Sequence, residues 1–250
     1  MGCADYDRDG FLDIYWKNAD GDIDNALFHN EGNWTFKDVT AESGTAVQSK
    51  LRESNAQGAC IADFDNDGDM DVYLPQADQA NRLIMNRLKE KGALGFEDIT
   101  VKSGARDMRG ARGCVAADFD NDGHVDLYVN NGGPSNTLIN DVIADFPPFV
   151  QFYIAWQQAE NLLLRNNGDG TFRDVTRGSG AAGWGIGSGV GAADINGDGF
   201  PDLFVTNRTY YAAGKQVTPE AGQNRLYMNR GNRNNWIKVR LQGTRSNRNA

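Results

Sequence analysis

At 250 residues the chain is long enough for one large or two ordinary domains with a substantial core. A hydrophobic fraction of 40% and a mean hydropathy of -0.57 fit a soluble protein, and no run of about 18 apolar residues offers a membrane-spanning helix. The formal charge of -9 is concentrated: 16 of the 27 Asp residues lie in four short loops, so cation sites explain the acidity better than an evenly acidic surface.

The first loop follows almost at once on Met1 and runs Asp5-Tyr6-Asp7-Arg8-Asp9-Gly10-Phe11-Leu12-Asp13. Carboxylates stand at positions 1, 3, 5 and 9, with glycine at position 6. No secretory leader precedes it, and a start inside a repeat predicts a fragment of a longer chain, whose missing leader says nothing about location. The pattern recurs at Asp63, Asp65, Asp67, Gly68, Asp69 and Asp71, then at Asp118, Asp120, Asp122, Gly123, His124 and Asp126. The fourth copy, Asp194, Asn196, Asp198, Gly199, Phe200 and Asp202, exchanges one carboxylate for an amide. The first aspartates are separated by 58, 55 and 76 residues. Crowded carboxylates repel unless a cation sits among them, and a hard ion with flexible geometry such as Ca²⁺ takes six to eight oxygens. Position 7 (Phe11, Asp69, His124, Phe200) varies, as expected if it offers only its backbone carbonyl. Four Ca²⁺ ions would add 8 charges to -9, leaving -1.

Small residues precede each loop and a strand-like run follows it: Ile14-Tyr15-Trp16, Val72-Tyr73-Leu74, Leu127-Tyr128-Val129 and Leu203-Phe204-Val205. A second signature comes next, from Asn25 to Asn30, Asn81 to Asn86, Asn161 to Asn166 and Asn224 to Asn229. After a turn, three units add an alternating strand, Phe36 to Thr40, Phe96 to Thr100 and Phe172 to Thr176, ending at Ser43-Gly44, Ser103-Gly104 and Ser179-Gly180. Each unit therefore predicts four short antiparallel strands, and the whole an all-β fold, a β-propeller of four-stranded blades. Blades are expected to start near 1, 58, 113 and 188 within residues 1–234. About four blades leave three arrangements: an open ring, a four-unit ring, or a ring with blades missing.

The third unit is longer by an insertion between Asn130 and Glu160 that includes Phe146 and Trp156, and the fourth by Arg208 to Gln223. Both fall between second and third strands, so both are expected on one face, as a partner-binding surface or an edge cover. Cys3, Cys60 and Cys114 fall in three different units, and packed thiols are expected rather than a disulfide framework. Arg225, Arg230, Arg233, Lys238, Arg240, Arg245 and Arg248 make the end basic, which reads as a solvated strand face before a polyanion site.

An EF-hand is excluded, because it requires Glu at position 12, where Trp16, Leu74, Val129 and Val205 stand. Catalysis finds little support: His29 and His124 have no nucleophile at recognisable spacing, and the carboxylate pairs are already assigned to metal. No catalytic residue is expected.

The three linked patterns resemble the FG-GAP/VCBS repeat of integrin-α-type propellers over nearly the whole chain. Residues 235–250, from Asn235-Trp236-Ile237 onward, resemble the truncated opening of the ASPIC/UnbV domain, as in cartilage acidic proteins and bacterial secreted proteins. The resemblance implies Ca²⁺-stabilised blades in an extracellular, cell-surface or periplasmic setting. Together these readings predict a non-enzymatic module for adhesion or for binding an unidentified protein or glycan. The rivals are a polysaccharide lyase or hydrolase acting at the insertion-bearing face and, weaker, a nucleic-acid or polyanion binder using the basic end. Asn196 keeps an oxygen but removes a charge, which predicts the weakest site in the fourth loop.

Overall fold

A hairpin around each acidic loop sets the register of the fold. In the computed structural model, which describes residues 1–17, 25–46, 58–77, 79–132, 160–183, 185–208, 211–212, 215–216 and 223–237, one pairing recurs four times. The alanine before each loop faces the aspartate that ends it: Ala4 with Asp13, Ala62 with Asp71, Ala117 with Asp126 and Ala193 with Asp202. A small residue opposite leaves space for the carboxylate to turn back into its loop.

From these hairpins the sheets grow outward in sequence order. The first comprises β1 (Gly2–Ala4), β2 (Asp13–Trp16), β3 (Ala26–Asn30) and β4 (Phe36–Asp38). The second comprises β5 (Cys60–Ala62), β6 (Asp71–Leu74), β7 (Arg82–Asn86) and β8 (Phe96–Asp98). The third comprises β9 (Ala111–Ala117), β10 (Asp126–Asn131), β11 (Leu162–Asn166) and β12 (Phe172–Asp174). The fourth has three strands among the described residues, β13 (Ile186–Ala193), β14 (Asp202–Arg208) and β17 (Arg225–Tyr227), beside a small hairpin of β15 (Tyr211–Ala212) and β16 (Lys215–Gln216). All pairings are antiparallel, giving the all-β propeller blades expected from the repeats.

The outer strands end differently from the reading that ran them into Ser-Gly. Asp38, Asp98 and Asp174 accept the backbone N–H of Thr40, Thr100 and Thr176 through Oδ1 at 3.0, 3.0 and 2.9 Å. That local bond turns the chain into single helical turns, Thr40–Ser43, Thr100–Ser103 and Thr176–Ser179, each closed by a glycine with φ of 74–78°.

Successive sheets stack face to face, with the apolar core between them. The innermost strands β1, β5, β9 and β13 pack in that order. This arrangement overturns the expectation of three packed thiols. Cys60 on β5 and Cys114 on β9 are disulfide-bonded with Cα atoms 6.0 Å apart, and only Cys3 is free. The two cysteines are distant in sequence but meet because inner strands of consecutive sheets are neighbours.

Residues 133–159, with the first insertion's aromatics, lie outside the described residues, as do most of the second insertion and residues 238–250 of the expected C-terminal domain. Among the described residues no helix is long and apolar enough to cross a membrane.

Candidate metal centres

Each acidic loop is shaped first by its own backbone amides. The position-1 carboxylate accepts two of them, from positions 5 and 6. Asp5 takes Asp9 and Gly10 at 3.1 and 3.0 Å, Asp63 takes Asp67 and Gly68 at 3.1 and 2.8 Å. Asp118 takes Asp122 and Gly123 at 3.1 and 2.9 Å, and Asp194 takes Asp198 and Gly199 at 3.0 Å each. Position 5 accepts the amide of position 7 at 2.7–3.0 Å in all four loops: Asp9 from Phe11, Asp67 from Asp69, Asp122 from His124 and Asp198 from Phe200. Gly10, Gly68, Gly123 and Gly199 hold φ near +90°, a conformation that strains any L side chain.

Position 9 is the buried anchor. Asp13, Asp71, Asp126 and Asp202 are at most 3% exposed. One oxygen of each accepts the position-2 amide of its own loop at 2.8–3.1 Å. The other accepts the backbone amide of an asparagine at the end of the third strand, Asn30, Asn86 or Asn166, or two residues beyond it, Asn229, at 2.7–2.8 Å. The closing aspartate of the acidic motif and the closing asparagine of the second signature are thus two halves of one tie.

The remaining oxygens converge. Ligand atoms of Asp5, Asp7 and Asp9 lie within 4.8 Å of one another, as do those of Asp118, Asp120 and Asp122, and those of Asp63, Asp65 and Asp71. Buried Asp67 Oδ2 and Asp120 Oδ1 have no hydrogen-bond donor. Burial, then neighbouring carboxylates, raises the pKa of Asp7, Asp65 and Asp120. Burial pushes Asp71 up to about 8 and Asp126 to about 7, against the amides that they accept. An all-oxygen cluster that resists ionisation, with lone pairs lacking donors, fits a hard divalent cation.

Basic side chains share the loops. His29 Nδ1 lies 3.1 Å from Asp7 and 3.2 Å from Asp13, and Arg87 lies 3.3 Å from Asp65. Arg165 sits 2.7 Å from Asp120 and 2.9 Å from Asp122. Despite its burial, Asp122 is held below the ordinary carboxylate range by Arg165 and by the His124 amide. In the fourth loop Asn196 donates its own amide to Asp198 at 2.8 Å.

Two positions do more than their sequence pattern suggested. Position 7 has side-chain contacts of its own. Phe11, His124 and Phe200 lie against Gly32, Gly168 and Gly231 of the turn after their third strand, while Asp69 accepts the Lys89 amide at 2.7 Å and pairs with Arg8 at 2.8 Å. Position 4 reaches the next loop. Arg8 donates to the Asp67 carbonyl at 3.1 Å, Asn66 to Gly123 at 3.1 Å and Asn121 to Gly199 at 3.0 Å. Arg8, Asn66 and Asn121 hold φ of 54–62°, which asparagine tolerates well. The asparagines at position 4 of the second and third loops, Asn66 and Asn121, were the available signal. Trp236 packs on Gly199, and Asn232 and Asn234 both donate to the Asp120 carbonyl, so residues 232–236 run across the third and fourth loops.

The FG-GAP-like repeat pattern matches residues 4–74 and 151–205, and the FG-GAP repeat pattern matches residues 186–227. Cartilage acidic protein 1 of Mus musculus is 27% identical over 227 residues, and that of Homo sapiens 26% over 227 residues. Each alignment covers 91% of this chain, which spans about 30% of the length of these curated relatives. A solved Agrocybe aegerita lectin, described as recognising non-reducing terminal N-acetylglucosamine, superposes with a TM-score of 0.43 at 18% identity, over 91% of this chain and 51% of that one.

Proposed function

Because the chain belongs to the FG-GAP repeat family, we propose that it is a calcium-stabilised, non-enzymatic propeller module that binds a protein or glycan outside the cytoplasm. The observation that carries the calcium reading is the convergence of carboxylate oxygens in the first three loops, with Asp120 Oδ1 and Asp67 Oδ2 buried and without donors. Positions 1, 3 and 5 of each loop would hold the ion, with the position-7 carbonyl and the free lone pairs of the buried position-9 aspartate. Bound calcium supplies positive charge that a cluster of anions otherwise lacks. The protein's own part is to present the oxygens: the glycine at position 6 folds the loop, and the position-9 tie fixes it to the third strand. Two observations support the setting. Disulfides such as Cys60–Cys114 persist in oxidising compartments, and the animal relatives are named for cartilage.

Melting curves with and without calcium test the reading. A site with a dissociation constant of roughly 10⁻⁴ M contributes about 2.7 kcal/mol at roughly 10 mM calcium. Excess EGTA should lower the melting temperature markedly and calcium should restore it; identical curves would sink the proposal. The pH dependence sharpens the test. Asp71 and Asp126 titrate higher folded than unfolded, so without metal their contribution is full below about pH 4 and is lost as pH rises toward 7 and 8. Calcium requires the ionised carboxylates, and its stabilisation should grow across the same window.

A further inference from the structure

The third sheet carries a charge arrangement that the first two handle differently. Where β11 and β12 pair, Arg165 stands directly opposite Arg173. The same place holds Met85 opposite Glu97 in the second sheet and His29 opposite Lys37 in the first. Charged members of those pairs have partners: Glu97 meets Arg87 at 3.1 Å and Lys102 at 3.3 Å, and Lys37 meets Glu42 at 3.2 Å. Among the described residues Arg173 and Arg177 have no ion-pair partner, although like charges directly opposite in an antiparallel pair repel.

These arginines line an open cleft of about 730 Å³, together with Arg165, Arg109, Glu160 and Asp174. Arg109 is engaged by Asp107 at 2.7 Å, and Arg165 by Asp120 and Asp122. Arg173 and Arg177, both exposed, are therefore the cations left to meet a ligand. Among the described residues Val175 is the one apolar side chain in the wall. Protein partners anchor through buried aromatic and apolar groups in pockets, which the described residues of this wall do not provide. A hydroxyl-rich anion needs only charged and polar contacts, and the volume falls in the range of small-ligand sites.

We propose that this cleft binds an acidic oligosaccharide, whose carboxylate or sulfate groups are held by Arg173 and Arg177. The proposal rests on the glycan alternative of the proposed function and names the class of glycan. Guanidinium suits either anion, since its paired N–H groups match both.

The test is calorimetric titration of the chain with size-defined oligogalacturonate, sulfated dextran oligosaccharide, neutral malto-oligosaccharide and poly-glutamate. One or both acidic sugars should bind and the neutral one should not; which acidic sugar binds assigns carboxylate or sulfate. Arg173→Glu and Arg177→Glu should each weaken binding at least about tenfold, while Lys37→Glu on the first sheet leaves it unchanged. No binding of either acidic sugar, undiminished binding by the double variant, or tighter binding of poly-glutamate would overturn the proposal. Melting in EGTA, read on the same proteins, separates the two ideas. Lost sugar binding with an intact calcium response defeats the cleft alone, whereas an absent calcium response with intact sugar binding defeats only the metal reading.

Discussion

Between the second and third sheets the protein combines an aromatic peg, a side-chain hook and a covalent bond. Phe64, at position 2 of its loop, is 1% exposed and meets Phe172 edge-on at 5.8 Å. Asn166 donates to the Phe64 carbonyl at 2.8 Å, and the Cys60–Cys114 disulfide joins the inner strands. Between the third and fourth sheets Phe119 and Asn229 repeat the peg and the hook, the latter at 2.7 Å, with no disulfide. Beyond the fourth sheet the same positions stand open. Ile195 is 55% exposed, and Phe204 is 46% exposed where its counterparts Tyr73 and Tyr128 are fully buried. The acidic loop is therefore an inter-sheet connector as well as a candidate metal site: position 2 of the first three loops is buried against the sheet that follows. Stability in such an array accumulates from one neighbour interface to the next.

Cutting the peg is the harshest way to break this comparison. Phe64→Ala should cost about 3–5 kcal/mol in urea unfolding, while Ile195→Ala should cost less than about 1 kcal/mol. Similar losses at both positions would mean that the peg contributes nothing beyond its own sheet. Removing the covalent link comes next. Cys60→Ala with Cys114→Ala opens a 54-residue separation, and a loss of about 2–4 kcal/mol is expected. Cys3→Ala is the matched control, because Cys3 is free and exposed. A pair of variants as stable as the parent would remove the disulfide from the account of this interface.

Much of this architecture was legible because it repeats. The carboxylates at positions 1, 3, 5 and 9, the glycine at 6 and the strands on either side follow from four aligned copies. What escaped are contacts between copies. Tyr6, Phe64 and Phe119 are visibly aromatic at position 2, but their burial depends on the following sheet. The asparagines Asn86, Asn166 and Asn229 read as strand ends, whereas each reaches a position-2 carbonyl of the preceding sheet. The disulfide left a trace: Cys60 and Cys114 are 54 residues apart, close to the 55 that separate Asp63 from Asp118. A spacing this close to the repeat puts two residues on corresponding strands, and corresponding inner strands touch. Arg165 left no trace, because nothing in its strand pattern says that the side chain turns into an acidic loop.

Arg165 also marks the subtlest difference between the third and fourth loops. The third keeps all its carboxylates and draws in a guanidinium at 2.7 and 2.9 Å; the fourth has Met228 in the corresponding place and Asn196 at position 3. One loop relieves its charge with a counter-ion from the chain, and the other by removing a carboxylate. Arg165 holds Oδ2 of Asp120 and of Asp122 and leaves Asp120 Oδ1 without a donor, so a cation entering the third loop would meet its positive charge, and because that side chain is 39% exposed the competition is a modest one. Arg165→Met should therefore tighten calcium binding at this loop by roughly two- to fivefold, measured by calorimetric titration. Adding Asp120→Asn should reverse the gain and leave the third loop as weak as the fourth. Unchanged or weaker affinity in Arg165→Met would show that the arginine supports the loop's geometry rather than competing for its oxygens.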